Sequence, residues 1–198
     1  ALTSAIAYVT DSIDKKVAFI TGHSKTDYSE SYRTLLKNNN YEIDIISETL
    51  ITKISDDYNA IFIVAPTTDF LDSELDSISK FLDNGGKYGK GLVFFADAAS
   101  PYLPNLSAFL AEWGIEVREG IMFETNAQNH IADAPTSLGS YPNGDDEILN
   151  GIAGCITGYN VPIKPVFETK GVISTSQLIV TPDTVVNAPI GTSNSWTG

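Results

Sequence analysis

Basic residues are scarce in this 198-residue chain: 12 Lys and Arg stand against 25 Asp and Glu, a net charge of −13. Phosphate neutralisation needs a basic face, so nucleic acid is excluded as a partner. Anionic lipid headgroups are disfavoured for the same reason. Cysteine occurs once, at Cys155, which rules out an internal disulfide and a cysteine-based zinc site. Two histidines leave little for a histidine-rich metal cluster, and no metal or cofactor is expected. No apolar run approaches the ~18–20 residues that a membrane span needs. What is present is a composition 42% hydrophobic and 10% aromatic, apolar enough to offset the entropy of ordering the chain. The chain starts at Ala1 and stops at Gly198 after a Ser/Thr/Asn-rich stretch. The expectation is a processed protein or a domain excised from a larger one, with membrane segments trimmed away.

Short apolar runs alternate with amphipathic stretches. Val17 to Thr21 is a β-branched and aromatic run ending at Gly22, which predicts a strand buried on both faces. Asp27-Tyr28-Ser29-Glu30 has the spacing of a capping box. Tyr28, Tyr32, Leu35 and Leu36 then fall on one helical face, which ends in Asn38-Asn39-Asn40. Glu42 to Ile46 and Ala60 to Val64 read as further strands. Leu71, Leu75, Ile78 and Leu82 form a second helical stripe, closed by Gly85-Gly86 where a left-handed cap is wanted. Leu92 to Phe95 predicts another buried strand, and Leu106, Phe109, Leu110 and Trp113 a third stripe ended by Gly114.

This rhythm predicts an α/β fold with a mostly parallel, doubly wound, flavodoxin-like sheet in a three-layer α/β/α body. Its crossovers are expected to be right-handed. Beyond about Glu116 the prolines at 135, 142, 162, 165, 182 and 189 and the Asn143-Gly144 turn signal break the chain into short pieces. Ile163 to Phe167, Gly171 to Ser174 and Gln177 to Thr181 are expected as short C-terminal β additions, antiparallel at the sheet edge. Glu147 to Ile152 is expected as a brief helix. The whole, residues 1–198, is expected as a single domain: a lead-in helix over 1–14, a βα core over 15–118 and an irregular, short-stranded extension over 119–198.

Ligands of open α/β sheets sit beyond the carboxyl ends of the strands. The loops expected there are Gly22-His23-Ser24, Pro66-Thr67-Thr68-Asp69, Asp97-Ala98-Ala99-Ser100 and Glu124-Thr125-Asn126. Gly22, His23, Ser24, Thr67, Asp69 and Asp97 are thus candidate ligand-binding residues. The competing account is that these side chains satisfy loop and helix-end amides, as Asp, Ser and Thr commonly do.

A nucleophile on this architecture belongs in a tight strand-to-helix turn flanked by glycines. The corresponding turn, Phe95-Ala96-Asp97-Ala98-Ala99-Ser100, has neither Cys nor Gly-x-Ser-x-Gly. Cys155 lies outside the alternating region and is expected as a small buried hydrophobe. His23 and Asp97 without a nucleophile do not make a triad, so no catalytic residue is assigned. Gly85-Gly86-Lys87-Tyr88-Gly89-Lys90-Gly91 precedes a strand instead of following one, and a phosphate-cradling loop must open a helix. Asp145-Asp146-Glu147 lacks the alternating spacing of a calcium loop.

Thr21-Gly22-His23-Ser24 after the first strand resembles the TGHGE signature of the ABC-type uncharacterised transport-system family, which includes gliding-motility auxiliary proteins. The stretch from Leu2 to Thr10 looks like that family's lead-in helix. Ala65-Pro66-Thr67-Thr68-Asp69, then Leu71, Glu74 and Phe81 to Gly86, resemble its "gP…l…E…l..yl..GG" pattern. Leu103 to Leu106 with Trp113-Gly114-Ile115 is similar to its "lpnL…L…wGi" helix, and Thr192 to Trp196 to its "TS..SW" element. The chain departs from the family at Ser24-Lys25, where Gly-Glu is preferred.

The resemblance implies a class I glutamine-amidotransferase-like fold without the catalytic cysteine. It implies a domain on the extracytoplasmic face of the cell membrane, within a membrane-anchored protein whose partners are an ABC-2 type permease and a separate ATPase subunit. The expected function is that of a non-enzymatic accessory domain binding protein, glycan or cargo. The alternative is a sugar- or peptide-binding module at the crest of the sheet; an enzyme of unassigned reaction is the third.

Overall fold

The computed structural model describes residues 15–144, 147–193 and 196. The lead-in helix expected over residues 1–14 lies outside these. The chain divides into two compact units. One holds the described residues through Phe95 together with Leu103–Leu106; the other holds Ala96–Tyr102 and the chain from Ser107 onward. The break falls after Phe95.

The first unit is built on four strands, β1 (Lys16–Ile20), β2 (Glu42–Ile46), β3 (Ala60–Val64) and β4 (Gly91–Phe95). They form one parallel sheet in the order β2-β1-β3-β4. Helix α1 (Glu30–Asn38) connects β1 to β2, and α2 (Asp72–Asp83) connects β3 to β4. The central strands read as unbroken apolar runs because both of their faces are covered. Val17 and Phe19 cluster with Val64 and Ala65, and Tyr32 and Leu36 of α1 pack against this cluster. Ala18, Ile20, Ile61 and Ile63 alternate with those residues, so they point to the opposite face, and all four are buried. Leu75, Ile78 and Leu82 of the expected stripe are buried, joined by Phe81, whereas Leu71 stands at the N-cap of α2 and is exposed. Asn84 takes the left-handed cap position (φ 49°) and Gly85 and Gly86 continue the turn.

Three details depart from expectation. The Asp27–Glu30 capping box does not form: α1 starts at Glu30 with Ser29 as its N-cap. The Asp27 carboxylate instead accepts the Ser29 amide at 2.8 Å, the Ser29 hydroxyl and an Arg33 N–H at 2.6 Å. Tyr28 precedes the helix and is exposed, as is Leu35, because α1 covers the sheet with Tyr32 and Leu36 alone. β4 is half-buried along its length, since an edge strand has a neighbour on one side only.

Helix α3 (Pro104–Glu112) runs on into the second unit, which otherwise consists of short antiparallel pairs. β5 (Ile115–Val117) pairs with β9 (Ile163–Pro165), and β6 (Ile121–Glu124) with β13 (Val185–Ala188). β7 (Ser137–Pro142) lies between β8 (Cys155–Gly158) and β12 (Ile179–Val180), and β10 (Thr169–Lys170) pairs with β11 (Ile173–Ser174). The expected C-terminal strands are antiparallel, but they form separate small sheets and do not extend the parallel one. The brief helix is a single 3-10 turn, Glu147–Leu149. Cys155 is half-buried in β8 and so is not the fully enclosed hydrophobe anticipated. Ile121, Phe123 and Ala188 form the core of the β6–β13 pair, and Trp196 meets Phe123 edge-on at 5.3 Å.

Candidate functional site

In the order β2-β1-β3-β4 the connections leave β1 and β3 in opposite directions, and the carboxyl ends of these two strands are where a sheet of this order places a ligand crevice. Two of the singled-out loops meet there. Thr67 and Thr68 donate their amides to the His23 carbonyl at 2.8 and 3.0 Å. The Lys25 amide donates to the Thr67 hydroxyl oxygen at 2.9 Å. Ser24 donates its hydroxyl to the Val64 carbonyl at 2.9 Å. Gly22 is needed sterically: a Cβ there would lie 2.1 Å from the Glu48 carbonyl oxygen.

His23 does not stand on the rim. It is 4% exposed, and its ring stacks on Phe70 with centroids 3.8 Å apart. Nε2 donates to Glu74 Oε1 at 3.0 Å, and Nδ1 lies 3.3 Å from the Thr68 carbonyl oxygen. Glu74 is 1% exposed. Besides His23 it accepts the Ile51 amide on Oε1 and the Leu71 amide on Oε2, each at 2.9 Å. Burial by itself pushes the Glu74 carboxyl up. The Leu71 and Ile51 amides and the His23 ring outweigh that and hold it below the ordinary carboxylate value. One carboxylate thus ties together the loop after β1, the segment entering Ile51 and the first turn of α2.

Asp69 also faces inward. Oδ1 accepts the Phe70 and Leu106 amides at 2.9 and 3.1 Å, and Oδ2 accepts the Asn105 amide at 2.8 Å. The last two are free donors in the first turn of α3, where a carboxylate also complements the helix dipole. Asn105 returns a side-chain N–H to the Phe70 carbonyl at 2.8 Å.

The structure brings Gly22, His23, Ser24, Thr67 and Asp69 together within the first unit. Asp97 belongs to the second, where Oδ1 accepts the Ala99 amide at 2.8 Å and its carbonyl accepts the Ser100 amide at 3.0 Å. The Glu124-Thr125-Asn126 loop is in the second unit too. Glu124, 2% exposed, accepts from the Asn126 amide at 2.8 Å, the Thr184 hydroxyl at 2.9 Å and the Asn129 amide group at 3.3 Å. It thereby fastens the end of β6 to the start of β13.

Glu74 and Phe70 are the residues that reading for chemistry passes over. Glu74 carries a signal nonetheless: it sits three residues into a helix, where a carboxylate reaches back to the N-cap amide. Among the described residues no group of three or more His, Cys, Asp or Glu side chains is placed to hold a metal ion. No described helix is long and apolar enough to cross a membrane.

The family model for the ABC-type uncharacterized transport system matches residues 14–143, more than half of the chain. The chain belongs to this family. Residues 14–143 take in the parallel sheet, the His23–Glu74 contact and the Asp69 cap, so these features lie within the family's own segment. Membership marks the chain as an auxiliary component of an ABC-type transport system. No curated protein matches the sequence. Among solved structures, the mmIFT52 N-terminal domain is similar with a TM-score of 0.64 and 16% identity, over 88% of this chain and 77% of that one. At that identity the likeness concerns the fold alone.

Proposed function

We propose that the chain is a non-enzymatic, extracytoplasmic accessory domain of its transport system, acting by recognition of a protein, glycan or cargo beside a membrane permease and a separate ATPase. Gliding-motility auxiliary proteins are the relatives it would resemble in action. The observation that carries this reading is the engagement of the crevice side chains. His23 is committed to Glu74, Asp69 to the start of α3 and Ser24 to the Val64 carbonyl. A catalytic or ligand-gripping role needs polar groups held in reserve for substrate, whereas these are spent on holding loops in place. A sugar- or peptide-binding crest is the weaker reading for the same reason.

A doubly wound, three-layer body of the glutamine-amidotransferase-like kind is part of the proposal. Burial of both faces of β1 and β3 and the β2-β1-β3-β4 order support it.

Affinity capture of the tagged full-length protein from detergent-solubilised membranes of its own host tests the reading. Co-capture of a multi-span permease and an ATPase is expected; reproducible capture without either overturns it.

A further inference from the structure

Three asparagines in the chain precede a glycine: Asn84-Gly85, Asn143-Gly144 and Asn150-Gly151. A glycine has no Cβ to shield its own nitrogen, so at such a pair that nitrogen can reach the asparagine side-chain carbonyl carbon and close a five-membered ring. The structure treats the three pairs differently. Asn84 is half-buried at the left-handed cap of α2, and its side-chain amide donates to the Tyr88 carbonyl at 2.9 Å. Asn143 is exposed, but its side-chain amide donates to the Gln177 carbonyl at 2.8 Å and its backbone N–H to the Leu178 carbonyl at 2.8 Å. Each of these two is moored by the very nitrogen that ring closure would have to release.

Asn150 has no such mooring. It follows the 3-10 turn Glu147–Leu149, whose Leu149 is buried. The Ile152 N–H donates to the Leu149 carbonyl at 3.0 Å, so Asn150 and Gly151 form the tip of a turn, both exposed, with Gly151 at φ 82°. A Cβ on Gly151 would meet nothing within 4 Å, and among the described residues the Asn150 side chain has no hydrogen-bond partner. We infer that Asn150 is a site of spontaneous covalent modification, with solvent water as the co-reactant. The Gly151 nitrogen gives up its proton and bonds to Asn150 Cγ; the Cγ–Nδ2 bond breaks, and Nδ2 leaves with that proton as ammonia. Water then opens the resulting succinimide. Cleavage between the ring nitrogen and Cγ gives aspartate, and cleavage between the ring nitrogen and the Asn150 backbone carbonyl carbon gives isoaspartate. Either product replaces a neutral amide by a carboxylate, and isoaspartate also lengthens the main chain in the link to β8. This rests on the geometry of the turn and not on the transport assignment.

The test holds the full chain for weeks in mildly alkaline buffer at physiological temperature, folded in one arm and unfolded in guanidinium chloride in the other. Samples are digested with pepsin in acid, where ring closure is too slow to add product, and each asparagine is followed by fragmentation mass spectrometry. In the folded chain, conversion at Asn150 is expected to outpace that at Asn84 and Asn143 about fivefold or more, the factor that one hydrogen bond supplies. The converted chain is expected to accept methyl groups from an isoaspartyl methyltransferase. In guanidinium chloride the moorings are gone, and the three rates are expected to converge. Equal rates at the three sites in the folded chain, or faster conversion at Asn84 or Asn143, overturn the inference. So does an Asn150 that keeps its amide in the folded chain over the time in which it converts in guanidinium chloride.

Discussion

His23 Nε2 donates to Glu74 Oε1 across 3.0 Å, joining two residues that stand 51 positions apart. Both belong to short patterns by which the sequence resembles its family, and the fold brings them into one buried contact. Glu74 also accepts the Ile51 and Leu71 amides, so its loss would strand three donors in a dry site.

Glu74→Ala is expected to destabilise the protein by about 3–5 kcal/mol, because buried donors are left without an acceptor. Glu74→Gln keeps one carbonyl oxygen and is expected to cost roughly half as much. Urea denaturation of the two variants beside the parent measures both. Equal stability of all three would show that the contact is dispensable.

The same carboxylate sets a pH dependence. Its folded-state pKa lies below the ordinary carboxylate value of 4.5. Its ionisation therefore favours the folded form fully above that value, and the contribution is lost as pH falls through the lower folded-state pKa. Denaturation midpoints measured across the acid range should fall less steeply in Glu74→Gln than in the parent. Parallel acid limbs would contradict this.

Asp69→Ala removes the acceptor for two free amides of α3. The expected loss is about 1–2 kcal/mol, with a smaller loss for Asp69→Asn, which keeps an acceptor but not the charge. Hydrogen exchange at Asn105 and Leu106 should quicken in the alanine variant before that of the β1 and β3 amides does.

Gly22→Ala drives a methyl group to 2.1 Å from the Glu48 carbonyl oxygen. Backbone on both sides has to shift, and about 2 kcal/mol or more of destabilisation is expected. The φ of Gly22 is not left-handed, so the penalty is steric. Thermal melting of this variant beside Gly158→Ala, where a Cβ meets nothing within 4 Å, separates a local clash from a general cost of replacing glycine.

Local pattern was sufficient for the strands and the second helix of the first unit. Val17 to Thr21, Ala60 to Val64 and Leu92 to Phe95 announce strands because parallel strands need side chains that tolerate burial, and the stripe from Leu71 to Leu82 announces α2 because a helix repeats its buried face every third or fourth residue. The start of α1 was not legible. Asp27 had an alternative to capping in Arg33, six residues on, and took it. In the second unit β6, β7, β8 and β13 escaped the sequence reading, since strands of four to six residues with polar interruptions have too few periods to stand out, and their pairing depends on partners as distant as Ile121 and Ala188.

What the sequence determined by itself was the alternating α/β order, the acidic balance and the ordered motifs of the family, all of which are properties of neighbouring residues and of composition. Only the tertiary structure decided what the polar residues do. Whether His23 and Asp69 face solvent or a buried carboxylate and a helix end depends on which loops the sheet order brings side by side, and a hydrogen bond across 51 residues leaves no mark in the spacing of the chain.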